Sequence, residues 1–460
     1  MSTKHNESKD KHVRHVLPNG LTILTKHLPG QQKACVMVSV GVGSIHEEER
    51  IQGISHFIEH LAFKSNQRRS AQQIAKDLEY AGTIANAYTT YDNTAFFGKC
   101  LPKKVDDTIQ ILFEAITNTI YKEEEIALER QVVLTEIQNY IELPDRHLIS
   151  LFLEDQYHKT PYQRRIEGTK KSVTSITQKD LAAFKEKYYA PNNMIISIVG
   201  NIDEAKALVT IKKTFGTLAK KIITLPNASL TTLQQKDITI HTQKHLNQSF
   251  LAAGFRVAPS HTKEGLGLEL LSAILGGGMS SRIFTKLREE QGIGYSVGSA
   301  YFTLGNTASL FAYVLGFDKE KRKDALDILK KIFKEITEEI VETQELEGTK
   351  NYYISHYLDE LQKLEHHAQE LIFEERYPVQ ISYTKRHEFM QKMSAGEILD
   401  LAKSYLSDEP TISLLTSEET KHKKLPSKVK EEQKAAVKRI VSKTTKTSIP
   451  MQSRIKKKRN

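Results

Sequence analysis

A chain of 460 residues with 39% hydrophobic and 27% charged side chains has the composition of a folded globular protein and the length for roughly two to four domains. Its formal net charge of +10 is concentrated in residues 421–460, which hold 15 Lys or Arg against 2 Glu; the mildly acidic remainder argues against a nucleic-acid-binding body. No run nears the roughly 18 apolar residues of a membrane span and no secretory or Arg-rich transit signal is visible, while the two lone cysteines, Cys35 and Cys100, exclude a Cys-rich metal site and suit a reducing compartment.

In chain order, residues 1–12 are polar, of mixed charge, and read as a disordered N-terminus. Pro18-Asn19-Gly20 signals a turn, after which residues 21–26 alternate as a strand; a second strand over 34–42 runs into Gly43-Ser44 and an acidic loop. There follows GISHFIEH, Gly53 to His60. On a helix His56 and His60 share one face and Glu59 falls one turn from His56, so two imidazoles and a carboxylate converge. Two neutral imidazoles so placed reach a Zn2+ at roughly 2.0–2.1 Å and leave positions open for a third ligand and a water. Glu59, beside the metal and not bound to it, is then set to take a proton from water whose pKa the metal lowers toward about 7. The bland alternative is a pair of satisfied core histidines. Because Phe57, Ile58 and Leu61 make this a core-facing helix, the three polar groups without a partner would cost on the order of several kcal/mol. A metal removes that cost.

Next, a helix over residues 70–80 stops at Gly82, a strand pair covers 84–88 and 94–100, and helix-rich sequence fills 105–140 and 178–188 before a strand at 194–200. The helix over 123–143 is where a third ligand is sought. Its Glu129 and Glu136 lie on one face, roughly 10.5 Å apart along the axis, so only one easily reaches the metal, and the residues by themselves leave open which. Apolar Ile126, Val132, Val133 and Ile137 pack the neighbouring face, and a single Glu on such a helix is ordinarily solvated.

The second half repeats this order. Gly53-Ile54-Ser55-His56 aligns with Gly265-Leu266-Gly267-Leu268, and Gly82 with Gly292. Around these anchors come a strand at 249–257, helices at 266–275 and 281–291, a strand pair over 295–315, a helix at 323–336 and a late strand at 411–415. The positions of His56, Glu59 and His60 have become Leu268, Leu271 and Ser272, so only the first half is expected to hold metal. The expected division is a metal-binding domain over 13–220, a linker over 221–236, a homologous domain over 237–420, and a basic, disordered tail over 421–460 with one short helix near 431–441.

HFIEH, ERQVVLTEI and GGGMSSRIFTKLREEQGIGYSV, in that order, resemble the inverted-zincin peptidases of the pitrilysin and insulinase family, in layout most like the short-chain subfamily of the mitochondrial processing peptidase. The resemblance covers about residues 12–417. It implies His56, His60 and Glu136 as zinc ligands, Glu59 as general base, and Glu129 as an acid supporting the site. It also implies that Asn86 and Ala87 sit on an edge strand to which peptide adds as a further strand, and that Arg288 and Tyr295 contact the substrate main chain. Without it, Asn86 is an ordinary turn residue, Arg288 a surface charge and Tyr295 a packed aromatic. Leu61-Ala62-Phe63-Lys64-Ser65-Asn66 departs from the relatives' usual methionine and glycine, a difference expected to affect substrate range and not the ligands. Gly276-Gly277-Gly278 lacks the Lys-Ser/Thr ending of a phosphate loop.

The resulting expectation is an α+β protein of two homologous domains, each an antiparallel sheet covered by helices. Its function would be that of a cytoplasmic zinc endopeptidase acting on unfolded or medium-sized peptides. Its competitor is a non-catalytic zinc-binding scaffold or partner-binding subunit, against which the retained base Glu59 argues. Because one chain carries both the metal set and the Arg288–Tyr295 pair, the resemblance implies a homodimer with shared sites. For the tail two readings stand equal: a solvated solubilising segment, or one making weak contact with anionic membrane or nucleic acid.

Overall fold

The computed structural model describes residues 12–225 and 238–417. The expectations for the N-terminus up to residue 11, most of the linker, and the basic tail therefore lie outside the described residues. The first half runs β1 (Val13–Val16), β2 (Thr22–His27), β3 (Ala34–Val40), α1 (Ile54–Leu61), α2 (Ala71–Tyr80), β4 (Ile84–Thr89), β5 (Thr94–Cys100), α3 (Val105–Thr117), α4 (Glu123–Glu142), α5 (Pro144–Gln156), α6 (Lys170–Ser175), α7 (Gln178–Tyr188), β6 (Met194–Gly200) and α8 (Glu204–Lys213). The second runs β7 (Ile238–Thr242), β8 (Ser249–Val257), α9 (Lys263–Gly276), β9 (Ser296–Leu304), β10 (Thr307–Phe317), α10 (Arg322–Glu338), α11 (Thr343–Glu360), α12 (Leu364–Arg376), α13 (Arg386–Lys392), α14 (Ala395–Leu406) and β11 (Thr411–Thr416). Local chemistry sets many of these boundaries. Ser70 accepts from Gln73 N–H to start α2, and Thr177 with Asp180 and Ser394 with Glu397 form capping boxes on α7 and α14.

The sheet orders are β1-β2-β6-β3-β5-β4 and β7-β11-β8-β10-β9, so after β1 the two halves have the same topology. The all-antiparallel expectation needs one correction: β2 pairs with β6, and β7 with β11, in parallel. The members of each of those pairs are separated by most of their half, including three other strands and several helices, which permits parallel pairing, whereas the tight turns of β4–β5 and β9–β10 force antiparallel hairpins.

Two helices are exchanged between the halves. Leu148 and Phe152 of α5 pack with Ala252, Phe311 and Leu415 of the second sheet, the two phenylalanine rings 4.8 Å apart. In return Ala368, Leu371 and Ile372 of α12 pack with Leu24, Cys35, Met37 and Val199 of the first. Both faces of each sheet are thus covered, one by a helix of the other half. That is why β3 (ACVMVSV) and β6 (MIISIVG) read as continuous apolar runs and are buried along their whole length.

Residues 143–177 and 343–410, assigned no element by the sequence, hold α5, α6 and α11–α14. The helix expected at 281–291 is instead centred on a π-helical turn, Phe284–Glu289, which carries Arg288. Among the described residues no helix is long and apolar enough to cross a membrane.

Candidate metal centre

α1 packs against both β4 and α4. Its entry is fixed by backbone and side chain together. Gly53 has φ +88°, and a Cβ there would lie 2.5 Å from the Glu167 carbonyl oxygen, so no larger residue fits the crossing. The buried Glu47 carboxylate accepts the Gly53 and Ser55 N–H groups at 2.7 and 2.8 Å, satisfying donors that the helix start leaves unpaired. Burial pushes the Glu47 carboxyl up to about 7 against the pull of those two donors. Ile54, Phe57, Ile58 and Leu61 then enter the first core, together with Ile126, Val133 and Ile137 of α4.

With the apolar faces joined, the polar faces meet. His56 Nε2 and His60 Nε2 are 3.2 Å apart, and Glu136 Oε2 lies 3.6 Å from the first and 3.4 Å from the second. One ligand atom from each of the three residues falls within 4.8 Å of the others. A tetrahedral ion with bonds of roughly 2.0–2.1 Å sets its ligand atoms about 3.3 Å apart, so this triangle has the dimensions of one face of a zinc site. The residues therefore fit the ion that their types imply.

Glu129 turns to the rear of the same ring: its Oε2 accepts from His60 Nδ1 at 3.3 Å, while its Oε1 lies 2.6 Å from Lys64 Nζ. His56 Nδ1, by contrast, is buried without a hydrogen-bond partner among the described residues. Glu59, itself buried, has its Oε2 4.0 Å from His56 Nε2 and accepts a bond from Thr89 Oγ1 at 3.2 Å. The Glu59 carboxylate is thereby tied to β4. Burial and the neighbouring His60 lower His56 to about 3. Burial also disfavours charge on His60, but its bonds with Glu129 and Glu136 outweigh that and raise it to about 10. For Glu129 and Glu136, burial raises the carboxyl while the bond with His60 lowers it, and the net direction for both is down.

Asn86 and Ala87 lie on β4, the outer strand of the first sheet. The Ala87 N–H is taken by Asn86 Oδ1 at 2.9 Å, and β4, which ends the sheet beside β5, has its other edge open to a further strand. Arg288 and Tyr295 are brought together on the second half, the guanidinium 5.6 Å from the ring centre and donating to the Gly294 carbonyl at 2.8 Å; Tyr295 is 69% exposed. They are not beside the metal ligands along the fold. Tyr295 precedes β9, and the other end of that strand, at Gly305, is the tip that approaches Asp92 in the β4–β5 turn. A strand of this length spans roughly 30 Å.

Three contributors escape sequence reading: Glu47, Thr89 and Lys64. Only Lys64 leaves a trace, four residues past His60. No residue of 61–66 bonds a member of the ligand triangle directly; Lys64 meets Glu129, the carboxylate behind His60.

Comparison with known proteins adds the following. The family model described as insulinase (peptidase family M16) matches residues 22–170, and that described as peptidase M16 inactive domain matches residues 175–353. A protein of Rickettsia felis named as an uncharacterized zinc protease is 32% identical over 408 residues, covering 87% of this chain and 96% of its own length. A similarly named protein of Bacillus subtilis is 30% identical over 305 residues, covering 65% and 72%. The crystal structure of a protease from Helicobacter pylori shares the fold with a TM-score of 0.81 at 23% identity, over 88% of this chain and 99% of that one.

Proposed function

This chain is a member of the insulinase family of peptidases, M16, and from that premise we propose that it is a zinc-dependent endopeptidase hydrolysing unfolded or medium-sized peptides. The observation that carries the reading is the convergence of His56, His60 and Glu136 with a fourth polar group, Glu59, buried beside them yet absent from the ligand triangle. What a zinc ion supplies when held there is a water with its pKa lowered toward about 7 and a polarised scissile carbonyl. Glu59 takes the proton of that water and returns it to the leaving amine. Thr89 fixes the carboxylate in the position for both transfers. Glu129 holds His60 from behind, so that its Nε2 faces the site. The substrate backbone adds along β4, with Asn86 exchanging its bond to Ala87 N–H for one to the peptide, so affinity is drawn from main-chain bonds and sequence preference stays loose.

The rival is a zinc-binding scaffold. The "inactive domain" description matches residues 175–353, which include none of His56, Glu59, His60 and Glu136, and a scaffold has no use for a buried base. The test is zinc content measured alongside cleavage of a mixed peptide library. Glu59→Gln should keep about one zinc per chain and lose at least roughly 10² in kcat, and unchanged cleavage by this variant refutes the mechanism.

Arg288 and Tyr295 enter the reading through a second copy. Their place at the far end of β9 supports a homodimer of about 105 kDa, twice the 52.3 kDa chain, in which each metal site uses the partner's pair. Mixing Glu59→Gln chains with Arg288→Ala, Tyr295→Phe chains should restore part of the activity each lacks. An active monomer by light scattering, or no restoration although mixed dimers form, ends the shared-site reading. A cytoplasmic location completes the proposal, consistent with the free, buried thiols of Cys35 and Cys100.

A further inference from the structure

We propose that Lys64 and Ser65, the two residues leading away from the metal helix, are positioning residues that clamp α1 to α4 and thereby set metal affinity. The inference rests on the zinc reading above and assigns roles that reading does not need. Lys64 Nζ lies 2.6 Å from Glu129 Oε1. Ser65 donates from its backbone N–H to Glu125 Oε2 at 3.2 Å and from its hydroxyl to Glu125 Oε1. The donors are themselves fixed: Lys64 N–H closes a turn onto the Leu61 carbonyl at 3.1 Å, Ser65 is 3% exposed, and Asn66 bridges to Thr119.

Geometry makes this more than an ordinary ion pair. An exposed Lys–Glu contact contributes little, with a median of about 0–1 kcal/mol. Here the Glu129 side chain is only 13% exposed and its second oxygen is committed to His60 Nδ1, so whatever orients Glu129 orients a ligand ring. Glu125 and Glu129 are one turn apart on α4, and Glu136 follows two turns further on the same rigid helix. Two fixed points on a helix determine both its roll and its slide against a neighbour. The clamp therefore sets where Glu136 meets His56 and His60, in a site that tolerates misplacement of only about 0.5 Å.

The test is the zinc affinity of the full chain, measured by competition with a chelator, together with the melting temperature of the metal-free protein. Lys64→Met should weaken zinc binding about tenfold, the lower end for loss of a partner behind a ligand, while the metal-free protein melts as before. Lys64→Arg should stay within about threefold of the parent because it restores the charge-assisted bond. In a Glu129→Gln background Lys64→Met should add less than about twofold, since the residue through which it acts is already disabled. A general structural role would not show that dependence. Ser65→Gly, which keeps the backbone bond to Glu125 and removes the hydroxyl's bonds to Glu125 and from the Ala71 N–H, should cost about threefold and decides the matter if Lys64→Met does not fold. The clamp is overturned if the parent binds zinc and these variants bind it equally well, or if Lys64→Met loses the same factor without Glu129. A parent that binds no zinc would instead defeat the metal reading itself.

Discussion

Where α1 presents His56, Glu59 and His60 to its neighbour helix, the matching turn of α9 presents Leu268, Leu271 and Ser272, all buried, in a sheet of the same strand order. Even the link to the edge hairpin is kept: Glu59 is bonded by Thr89 of β4, and Ser272 Oγ lies 3.1 Å from Ser299 Oγ of β9. The second half thus serves as an internal control. At these positions the fold is satisfied by two leucines and a serine, so the imidazoles and carboxylate of the first half are not there for packing. Placing them there costs desolvation on the order of several kcal/mol that a leucine avoids, offset in part by the bonds of His60 to Glu129 and Glu136 and of Glu59 to Thr89.

Five experiments bear on this contrast. The largest effect is expected from copying the second half into the first, as His56→Leu, Glu59→Leu, His60→Ser together. Zinc and cleavage should both vanish while the metal-free protein melts no lower than the parent, because apolar burial replaces partly paired charge. A variant that unfolds, judged by circular dichroism, breaks the claim that packing is indifferent to the triad. Next is Thr89→Val, which removes the bond to Glu59 and should lower kcat about tenfold at unchanged zinc content, with Thr89→Ser largely restoring it. Equal kcat in the valine variant means that Thr89 does not orient the base.

A smaller effect concerns protons. His60 is raised from its ordinary 6.5 to about 10, so its charged form stabilises the metal-free fold fully below about pH 6.5, and this contribution is lost as pH rises through about 10. The melting temperature of metal-free protein should accordingly fall between neutral pH and pH 10, and fall less in Glu129→Gln. Since His56 is lowered to about 3 and stays neutral, zinc binding near pH 6, below the range where a zinc-held water ionises, should release about one proton, measurable by calorimetry in buffers of different ionisation enthalpy. Release of none or of two contradicts the assignment. The smallest effect is expected from deleting residues 421–460: cleavage and zinc should be unchanged, and salt-dependent retention on anionic vesicles, if the parent shows any, should disappear.

Much of this site is legible in the chain because its first part is local. The spacing of His56, Glu59 and His60 needs only the period of a helix to put three groups on one face, and the aligned glycines Gly53 and Gly265 expose the repeat without any contact being known. The strands were equally readable where hairpins and turn residues mark them. The reading fails at α5, α6 and α11–α14. The apolar faces of α5 and α12 are matched to the sheet of the opposite half, and helices of low amphipathic contrast give weak periodicity.

What the sequence by itself determined is therefore the imidazole pair, the base between them, and the fact that only one half of the repeat carries them. Helical geometry is fixed within a few residues and survives in any fold. Between Glu129 and Glu136 the helix period does not choose, and beyond what the family resemblance implied it is the tertiary structure that puts Glu136 against both His Nε2 atoms and Glu129, seven residues earlier on the same face, behind His60 to meet Lys64. It alone revealed that Thr89 ties the base to the edge strand, that Glu47 caps the metal helix, and that each sheet is closed by a helix of the other half. Apart from the Glu47 cap, which spans six to eight positions, these contacts join residues dozens to hundreds of positions apart, and they are selected by how two buried apolar faces dock. That docking leaves no period in the sequence to read.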